Sequence, residues 1–464
     1  MKNKFNLSLI AVLMAGTAAF TSCSKDDADE VEVVVPVESN EVLADSFFDK
    51  VTYRGAMGTS DWTANWTNFS PKTAVYGATT ETLSGTISAN RTLDASKVYL
   101  LQGFVYVASG VTLTIPAGTV IRGDQVSKAT LVVVRGAKLI AEGTATNPIV
   151  FTSNKAAGSR APGDWGGIIL LGKALNNNPG GTGIIEGGID EAMAVHGGTD
   201  AADNSGVLKY VRVEFPGIAY VKDNEINGVT FGSVGSGTTI DYVQVSFSGD
   251  DSFEWFGGSV NAKHLVSISN VDDIFDFDNG YSGKIQYAIG QRDPSLADQA
   301  GQSNGIESDN SSSQYSSTPR TRPAISNMTI IGPGLSADIK HENANLWRKG
   351  TKMILANSIF INTRYGIDIR DKETGDALTD GTSLIKNNIY QSEVVGKDVI
   401  ASATGTTAPS FATADLLRTY LTGKGNTFID VTAAAALLTS PFTLTATPNF
   451  TLKAGSVAAT GATF

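Results

Sequence analysis

The sequence predicts an all-β protein built as a single parallel β-helix, a solenoid in which each coil of chain adds short strands to the stack. Glycine supplies 49 of the 464 residues and only 17% are charged, which is typical of many short strands joined by tight turns. Apolar and polar residues alternate in runs of three to five residues, the pattern of strands with one buried face. A motif also recurs after 22 residues, which lies within the range of solenoid repeats.

The repeat is clearest in two acidic blocks. Residues 250–258 read DDSFEWFGG, and residues 272–280 read DDIFDFDNG. A second pair of strands repeats in the same way, LKYVRV at 208–213 and IDYVQV at 240–245. A β-sandwich also contains short strands, but it gives no reason for a motif to recur at the spacing of one coil. In stacked coils, equivalent residues lie about 4.8 Å apart.

The pattern divides the chain into segments. Residues 291–324 are predicted to be a long polar insertion that lies over one face of the solenoid. The C-terminal segment contains one predicted short helix at 413–421. The predicted order is a lipoprotein signal peptide (1–22), a lipidated acidic tether (23–40), an aromatic N-terminal cap (41–80), the β-helix (81–395) and a C-terminal cap (396–464).

The N-terminus is typical of an exported lipoprotein. Lys2 and Lys4 precede an apolar run at 5–20 that is too short to remain as a membrane-spanning helix. Cys23, the only cysteine, follows at the cleavage position, and FTSC there resembles a bacterial lipobox. The next residues, SKDD at 24–27, resemble the export tag of Bacteroidetes-type bacteria, although an acidic linker is the simpler alternative. We therefore predict lipidation of Cys23 at the outer membrane, facing the medium or, as the alternative, the periplasm.

Several motifs together resemble a family of right-handed parallel β-helix lipoproteins of Bacteroidetes-type bacteria, with a pectin-lyase-like fold. The resemblance covers roughly residues 80–395 and implies a right-handed coil and an envelope location, but it carries no settled activity. Its motifs are the two acidic blocks and residues 111–124, 138–153, 162–168 (PGDWGGI) and 303–310 (SNGIESDN).

Alignment of the coils predicts two outward rows of charged residues. The first row is predicted to contain Glu254, Asp276, Glu307, Lys340 and Asp368, and the second Asp278, Asp309, Glu342 and Arg370. Carboxylates stacked at the strand spacing repel one another, so they require raised pKa values or a bound cation. Calcium takes six to eight oxygen ligands, and the candidate ligands are Asp276, Asp278, Glu307 and Asp309.

A solvated acidic face neutralised by Lys340 and Arg370 is the alternative to a calcium site. The aspartates of the two DD pairs fall at a corner of the coil, where such residues commonly accept hydrogen bonds from backbone amides. For these four residues we predict turn formation rather than ligand binding. They are Asp250, Asp251, Asp272 and Asp273.

On function, the formal net charge of −11 argues against nucleic acid as a partner. The favoured prediction is a non-catalytic envelope protein that binds extracellular glycan or an outer-membrane complex, with Lys340, Asp368 and Arg370 as candidate binding residues. The competing prediction is a calcium-dependent polysaccharide lyase or glycoside hydrolase, with Glu254, Asp276 and Glu307 as candidate catalytic residues.

The sequence offers little to support other catalytic sites. It lacks the Gly-His-Gly and Arg-Ile-Lys elements of polygalacturonases. The three histidines, His196, His264 and His341, are too scattered for zinc-ligand spacing, and we expect His341 to be buried.

Overall fold

Parallel strand pairing dominates the computed structural model, which describes residues 39–221, 224–335, 338–403, 407–444 and 447–464. Twenty-six strands join into one continuous sheet with parallel register between successive coils. The predicted fold, a single right-handed parallel β-helix, is thereby confirmed. The predicted signal peptide, Cys23 and most of the tether lie outside the described residues.

Each coil contributes to three stacks of strands, which we call sheets A, B and C. Phe253–Gly258 is a strand of sheet A, and Asn261–Ile268 follows it. The second strand bends at His264, whose φ of 52° is left-handed, so its first half belongs to sheet B and its second half to sheet C. A turn at 269–274 then leads to Phe275–Asp278, the next strand of sheet A.

The strands of sheet A are Thr130–Val133, Gly167–Leu171, Val229–Val234, Phe253–Gly258, Phe275–Asp278, Ile306–Ser308, Asn343–Trp347, Tyr365–Arg370 and Val399–Ser402. The strands that run from sheet C into sheet A are Glu81–Ile87 and Val98–Val107. Those that run from sheet B into sheet C are Gly206–Glu214, Thr239–Ser246, Asn261–Ile268, Lys284–Gln291 and Ala324–Ile331. The strands of sheet B alone are Arg91–Thr92, Thr112–Ile115, Lys138–Glu142, Ile354–Ala356 and Leu384–Lys386. Those of sheet C alone are Val120–Gly123, Ile149–Ser153, Ile359–Thr363, Ile389–Ser392 and Thr427–Phe428.

Inward residues stack along the axis to form the core. Phe253 lies over Phe275 with ring centroids 5.6 Å apart, and Trp255 lies over Phe277 at 4.9 Å. All four side chains are fully buried, as the period-two pattern predicts. The alternate residues of the same strands therefore point away from the core, which places Glu254 and Asp276 on the outer face of sheet A.

The corner between sheets B and C carries an aromatic ladder, defined as Tyr210, Tyr242, His264 and Tyr287. All four residues have φ between 50° and 63°. Their ring centroids are separated by 4.4, 4.1 and 5.1 Å in successive coils. Stacking of these rings compensates for the left-handed backbone, which is unfavourable for residues other than glycine and asparagine.

The prediction that residues 41–80 cap the first coil is wrong, because this segment crosses the flank of the solenoid instead. The Ala56 amide donates to Thr329 Oγ1 at 2.8 Å, and the Asn68 amide donates to Gln244 Oε1 at 2.8 Å. Trp66 is buried against the aromatic ladder rather than against an open end of the core.

The segment predicted to be the C-terminal cap contains a strand of sheet A, Val399–Ser402, and a helix. The helix Ala414–Gly423 packs against the last coils, with Leu417 and Leu421 in the solenoid core. Thr413 caps its first turn, so the predicted helix at 413–421 is confirmed. Strands continue to Phe428, beyond the predicted end of the β-helix. The described residues that follow, 429–444 and 447–464, return along the flank occupied by the N-terminal segment.

The remaining elements are short. The described helices are Ser39–Ala44, Glu191–Ala194, Lys372–Thr379, Ala414–Gly423 and Val431–Ala435, with 3-10 turns at Pro71–Thr73, Pro179–Gly181 and Val457–Ala459. The antiparallel hairpins pair Thr182–Ile184 with Val195–Gly197, Ala219–Val221 with Asn224–Glu225, and Leu438–Ser440 with Asn449–Leu452. The longest described helix has ten residues, so within the described part of the chain no helix could span a bilayer.

Candidate functional site

Three carboxylates form one outward row on sheet A. Glu254 pairs in register with Asp276, and Asp276 pairs with Glu307. The strand spacing brings these side chains within about 5 Å of one another from coil to coil. The predicted repeat between the two acidic blocks therefore has the predicted geometry, and it extends across the insertion because Ile306–Ser308 is itself a strand of sheet A.

The predicted continuation of the rows through Lys340 and Glu342 is wrong. The next partner of Glu307 is Leu346, and the row then reaches Asp368. Residues 339–342 form a turn before the strand Asn343–Trp347, so the sequence resemblance of this turn to the acidic blocks is misleading. Lys340 instead donates from Nζ to the Gly301 carbonyl at 3.1 Å.

The corner aspartates join the row to form a larger cluster. Asp251 Oδ1 accepts from the Asp273 amide at 2.7 Å, and Asp273 accepts from the Asn304 amide, as expected for turn residues. The same two carboxylates nevertheless approach those of the sheet. Three groups have ligand atoms within 4.8 Å of one another: Asp250, Asp251 and Asp272; Asp251, Glu254 and Asp276; Asp273, Asp276 and Glu307. We call these seven residues the acidic cluster.

Two hairpins outside the regular coils add carboxylates that the sequence did not predict. Glu186 follows the strand Thr182–Ile184, and Glu225 ends the strand Asn224–Glu225. Burial raises the pKa of Glu186 to about 7, and the charges of Glu225 and Asp278 contribute to the rise. Because neither hairpin follows the coil period, the repeat gives no signal for these residues.

Asn227 is the most informative neutral neighbour of the cluster. Its side chain is 1% exposed, and its Nδ2 donates to Glu254 Oε2. The amide oxygen of Asn227 is buried without a hydrogen-bond partner among the described residues. A buried acceptor of this kind is costly unless a ligand satisfies it. Asp276 Oδ1 and Asp272 Oδ1 are buried without partners as well.

The electrostatics of the cluster favour binding of protons or cations. Burial is the largest cause of a pKa well above the usual value in five of its carboxyls, and the charges of neighbouring carboxylates raise these pKa values further. Those five are Asp250, Asp251, Glu254, Asp272 and Asp276. Since several of these groups face one another, they titrate as a coupled set.

The opposite end of the row is neutralised by the protein itself. Arg348 Nη2 donates to Glu307, and Arg348 Nε lies 2.8 Å from Asp309 Oδ1. Lys349 Nζ lies 2.6 Å from Asp309 Oδ2. Although burial acts to lower it, the pKa of Arg348 is held above its usual value by Glu307 and Asp309.

The four predicted calcium ligands are therefore not equivalent. Asp276 and Glu307 lie together in the acidic cluster with Asp273, whereas Asp309 is engaged by Arg348 and Lys349. Asp278 Oδ1 accepts from the Asn279 amide at 2.6 Å and belongs to none of the three groups of described carboxylates.

The predicted binding residues Asp368 and Arg370 pair with each other. Arg370 Nε donates to Asp368 Oδ2 at 2.8 Å, and Ser402 Oγ donates to Asp368 Oδ1 at 2.9 Å. Asp368 is buried, and its hydrogen bond from Ser402 links the strands Tyr365–Arg370 and Val399–Ser402. Lys340 Nζ donates to the Gly301 carbonyl and Arg370 Nη2 lies 3.5 Å from Gln302 Oε1, so groups of the protein itself engage both cations.

The fold and the cluster together define a parallel β-helix protein with a concentrated negative charge on one sheet. The family model described as a pectate-lyase-like beta helix domain matches residues 85–435, and the chain belongs to that family. Membership fits a carbohydrate-related role. No curated protein and no solved structure gives a significant match.

Proposed function

We propose that the protein is a non-catalytic glycan-binding protein of the cell envelope, and that its acidic cluster holds calcium at the binding surface. The buried, unpartnered amide oxygen of Asn227 beside Glu254 is the observation that carries this proposal. Calcium binds carboxylate and amide oxygens in irregular arrangements of six to eight ligands. Asp251, Glu254 and Asp276 supply such oxygens from successive coils.

A divalent cation would also relieve the repulsion within the cluster. Without it, burial and neighbouring charges keep several carboxyls protonated well above their usual range. Magnesium requires near-ideal octahedral geometry and retains its waters, so a set of stacked carboxylates favours calcium. A bound calcium would leave coordination positions for hydroxyl or carboxylate oxygens of a glycan.

The arrangement of charges favours binding over catalysis. Four cationic side chains beside the rows are committed to groups of the protein: Arg348, Lys349 and Arg370 to carboxylates, and Arg292 to the carbonyls of Asp272 and Asn304. A lyase needs a base that is free to accept a proton.

The enzyme alternative retains one supporting observation. Glu254 and Asp276 have pKa values well above the usual range, chiefly because of burial, and a carboxyl that keeps its proton near neutral pH can act as a general acid. Incubation of the purified protein with acidic and neutral polysaccharides, with and without calcium, separates the two functions. Unsaturated products or new reducing ends would establish an enzyme.

Binding is measured with the same polysaccharides by titration calorimetry. We expect the protein to bind at least one polysaccharide in the presence of calcium and to lose that binding in chelator. We also expect no cleavage products from the bound polysaccharide. Glu254→Gln with Asp276→Asn should abolish binding, whereas Glu142→Gln, an exposed carboxylate on sheet B, should not. Binding that is unchanged in chelator and in the double variant would contradict the proposal.

The envelope location rests on the N-terminal sequence alone. We propose acylation of Cys23 at the outer membrane, with the β-helix carried on the tether that follows. Cys23→Ala should release the protein or leave its signal unprocessed, as measured by fractionation and mass spectrometry. Protection of the acylated protein from protease added to intact cells would replace the surface orientation with a periplasmic one.

A further inference from the structure

A second cleft lies at the corner between sheets B and C, away from the acidic cluster at the corner between sheets C and A. Its volume is about 480 Å³, within the ~300–1,000 Å³ range of small-molecule sites. Aromatic rings of Tyr53, Trp62, His264 and Tyr287 line the cleft. Side-chain hydroxyls of residues 52, 59 and 60 line it as well.

His264 supplies a fixed polar atom to this cleft. Its Nδ1 lies 2.7 Å from Asp241 Oδ1, so in the neutral ring Nδ1–H donates to the carboxylate and Nε2 is the acceptor. The ring is held between Tyr242 at 4.1 Å and Tyr287 at 5.1 Å. A purely structural ladder position is better filled by tyrosine or phenylalanine, which bury more apolar surface.

The aromatic wall is held in place before any ligand arrives. Trp62 Nε1 donates to the Ala56 carbonyl at 2.8 Å, and its ring meets His264 edge-on at 5.0 Å. Gly58 lies against the ring of Tyr53, where an added Cβ would be 3.0 Å from Tyr53 Cε1. Fixed rings bind with little loss of side-chain entropy.

We propose that this cleft binds a neutral sugar ring. The apolar C–H face of a pyranose stacks on aromatic rings, while its hydroxyls donate to His264 Nε2 and exchange hydrogen bonds with the hydroxyls that line the cleft. The carboxylate of Asp241 and the net charge of −11 oppose an anionic ligand. Lys263 Nζ, which is paired with Asp49, lies 5.9 Å from the centroid of the Tyr287 ring. Its positive charge opposes a cationic ligand on that ring.

Histidine resonances provide a direct test, because the chain has three histidines and two of them are buried. Full-length protein with isotope-labelled histidine is titrated in chelator with cellobiose, maltose, mannobiose and galactobiose. Digalacturonic acid and choline serve as the anionic and cationic probes. We expect a neutral disaccharide to shift the His264 signals and to leave those of His196 and His341 in place.

Two variants separate a ligand contact from a packing role. His264→Phe keeps an aromatic ring in the ladder but removes Nε2, and it should weaken disaccharide binding at least tenfold while the protein remains folded. Tyr210→Phe, in the same ladder but outside the cleft, should bind as the wild type does.

Undiminished binding by His264→Phe would overturn the proposal. A response of His264 to choline or digalacturonic acid alone, or to none of the probes, would also overturn it. Because the titration is made without calcium, its outcome is independent of the acidic cluster.

Discussion

The two ends of the acidic row on sheet A solve the same electrostatic problem in different ways. Toward the C-terminal end, Glu307 and Asp309 are held by Arg348 and Lys349. Toward the N-terminal end, Glu254 and Asp276 face other carboxylates and a buried amide oxygen. Both arrangements are compatible with a stable β-helix. Only the N-terminal end of the row, however, retains negative charge that an external cation could neutralise.

The largest expected effect comes from breaking the neutralised end. Arg348→Met leaves Glu307 and Asp309 without their shared cation in a largely buried setting, where loss of one partner typically costs about 3–5 kcal/mol. Urea unfolding measures the change. Lys372→Met, which removes the exposed partner of Asp376, is the control and should cost less than about 1 kcal/mol. Equal effects of the two variants would mean that the Arg348 pairs contribute no more than a surface ion pair.

The second prediction concerns the unneutralised end. Free calcium at 100 times its dissociation constant should stabilise the wild type by about 2.7 kcal/mol, because calcium binds only the folded cluster. Glu254→Gln with Asp276→Asn should lose this gain. In chelator the double variant should be more stable than the wild type by roughly 1 kcal/mol or more, since a pKa shift of one unit corresponds to about 1.4 kcal/mol. If added calcium changes the melting temperature of the wild type and of the double variant equally, the calcium site is refuted.

The third prediction is a dependence of stability on pH in chelator. The folded pKa values of Glu186 and Asp273 are raised to about 7, so the folded protein binds protons more strongly than the unfolded chain. The resulting stability is fully present below the unfolded pKa and is lost as the pH rises toward 7. Each such group should lower the unfolding free energy by about 1.4 kcal/mol per pH unit between these limits. Melting temperatures from pH 5 to 8 test this, and saturating calcium should flatten the profile.

The sequence predicted the fold and about half of the site because both depend on the coil period. Phe253, Trp255, Phe275 and Phe277 repeat at 22 residues, and their stacked rings fix the outward positions of Glu254 and Asp276 without further information. After the insertion the period is lost, because turns tolerate extra residues. The predicted alignment of Lys340 with Glu307 therefore rested on similar sequence composition, whereas the backbone register pairs Glu307 with Leu346.

The other half of the site depends on contacts that no period encodes. Glu186 and Glu225 reach the cluster from hairpins, and Asn227 gains its meaning only from burial next to Glu254. The corner aspartates were predicted to bond to backbone amides, and two of them do so. The same two carboxylates also belong to the acidic cluster, so a hydrogen bond to a backbone amide does not exclude them from it.

The flank crossing of residues 41–70 has a mechanical consequence. Its hydrogen bonds reach Gln244, Gln286 and Thr329, which belong to different coils. Arg54 also donates to the carbonyls of Val457 and Thr460 in the returning C-terminal segment. A pulling force applied at residue 39 would therefore load many coils and the chain's other end at once, in shear. The N-terminal segment would therefore share such a force among the coils that it contacts and would not transmit it to the first coil alone.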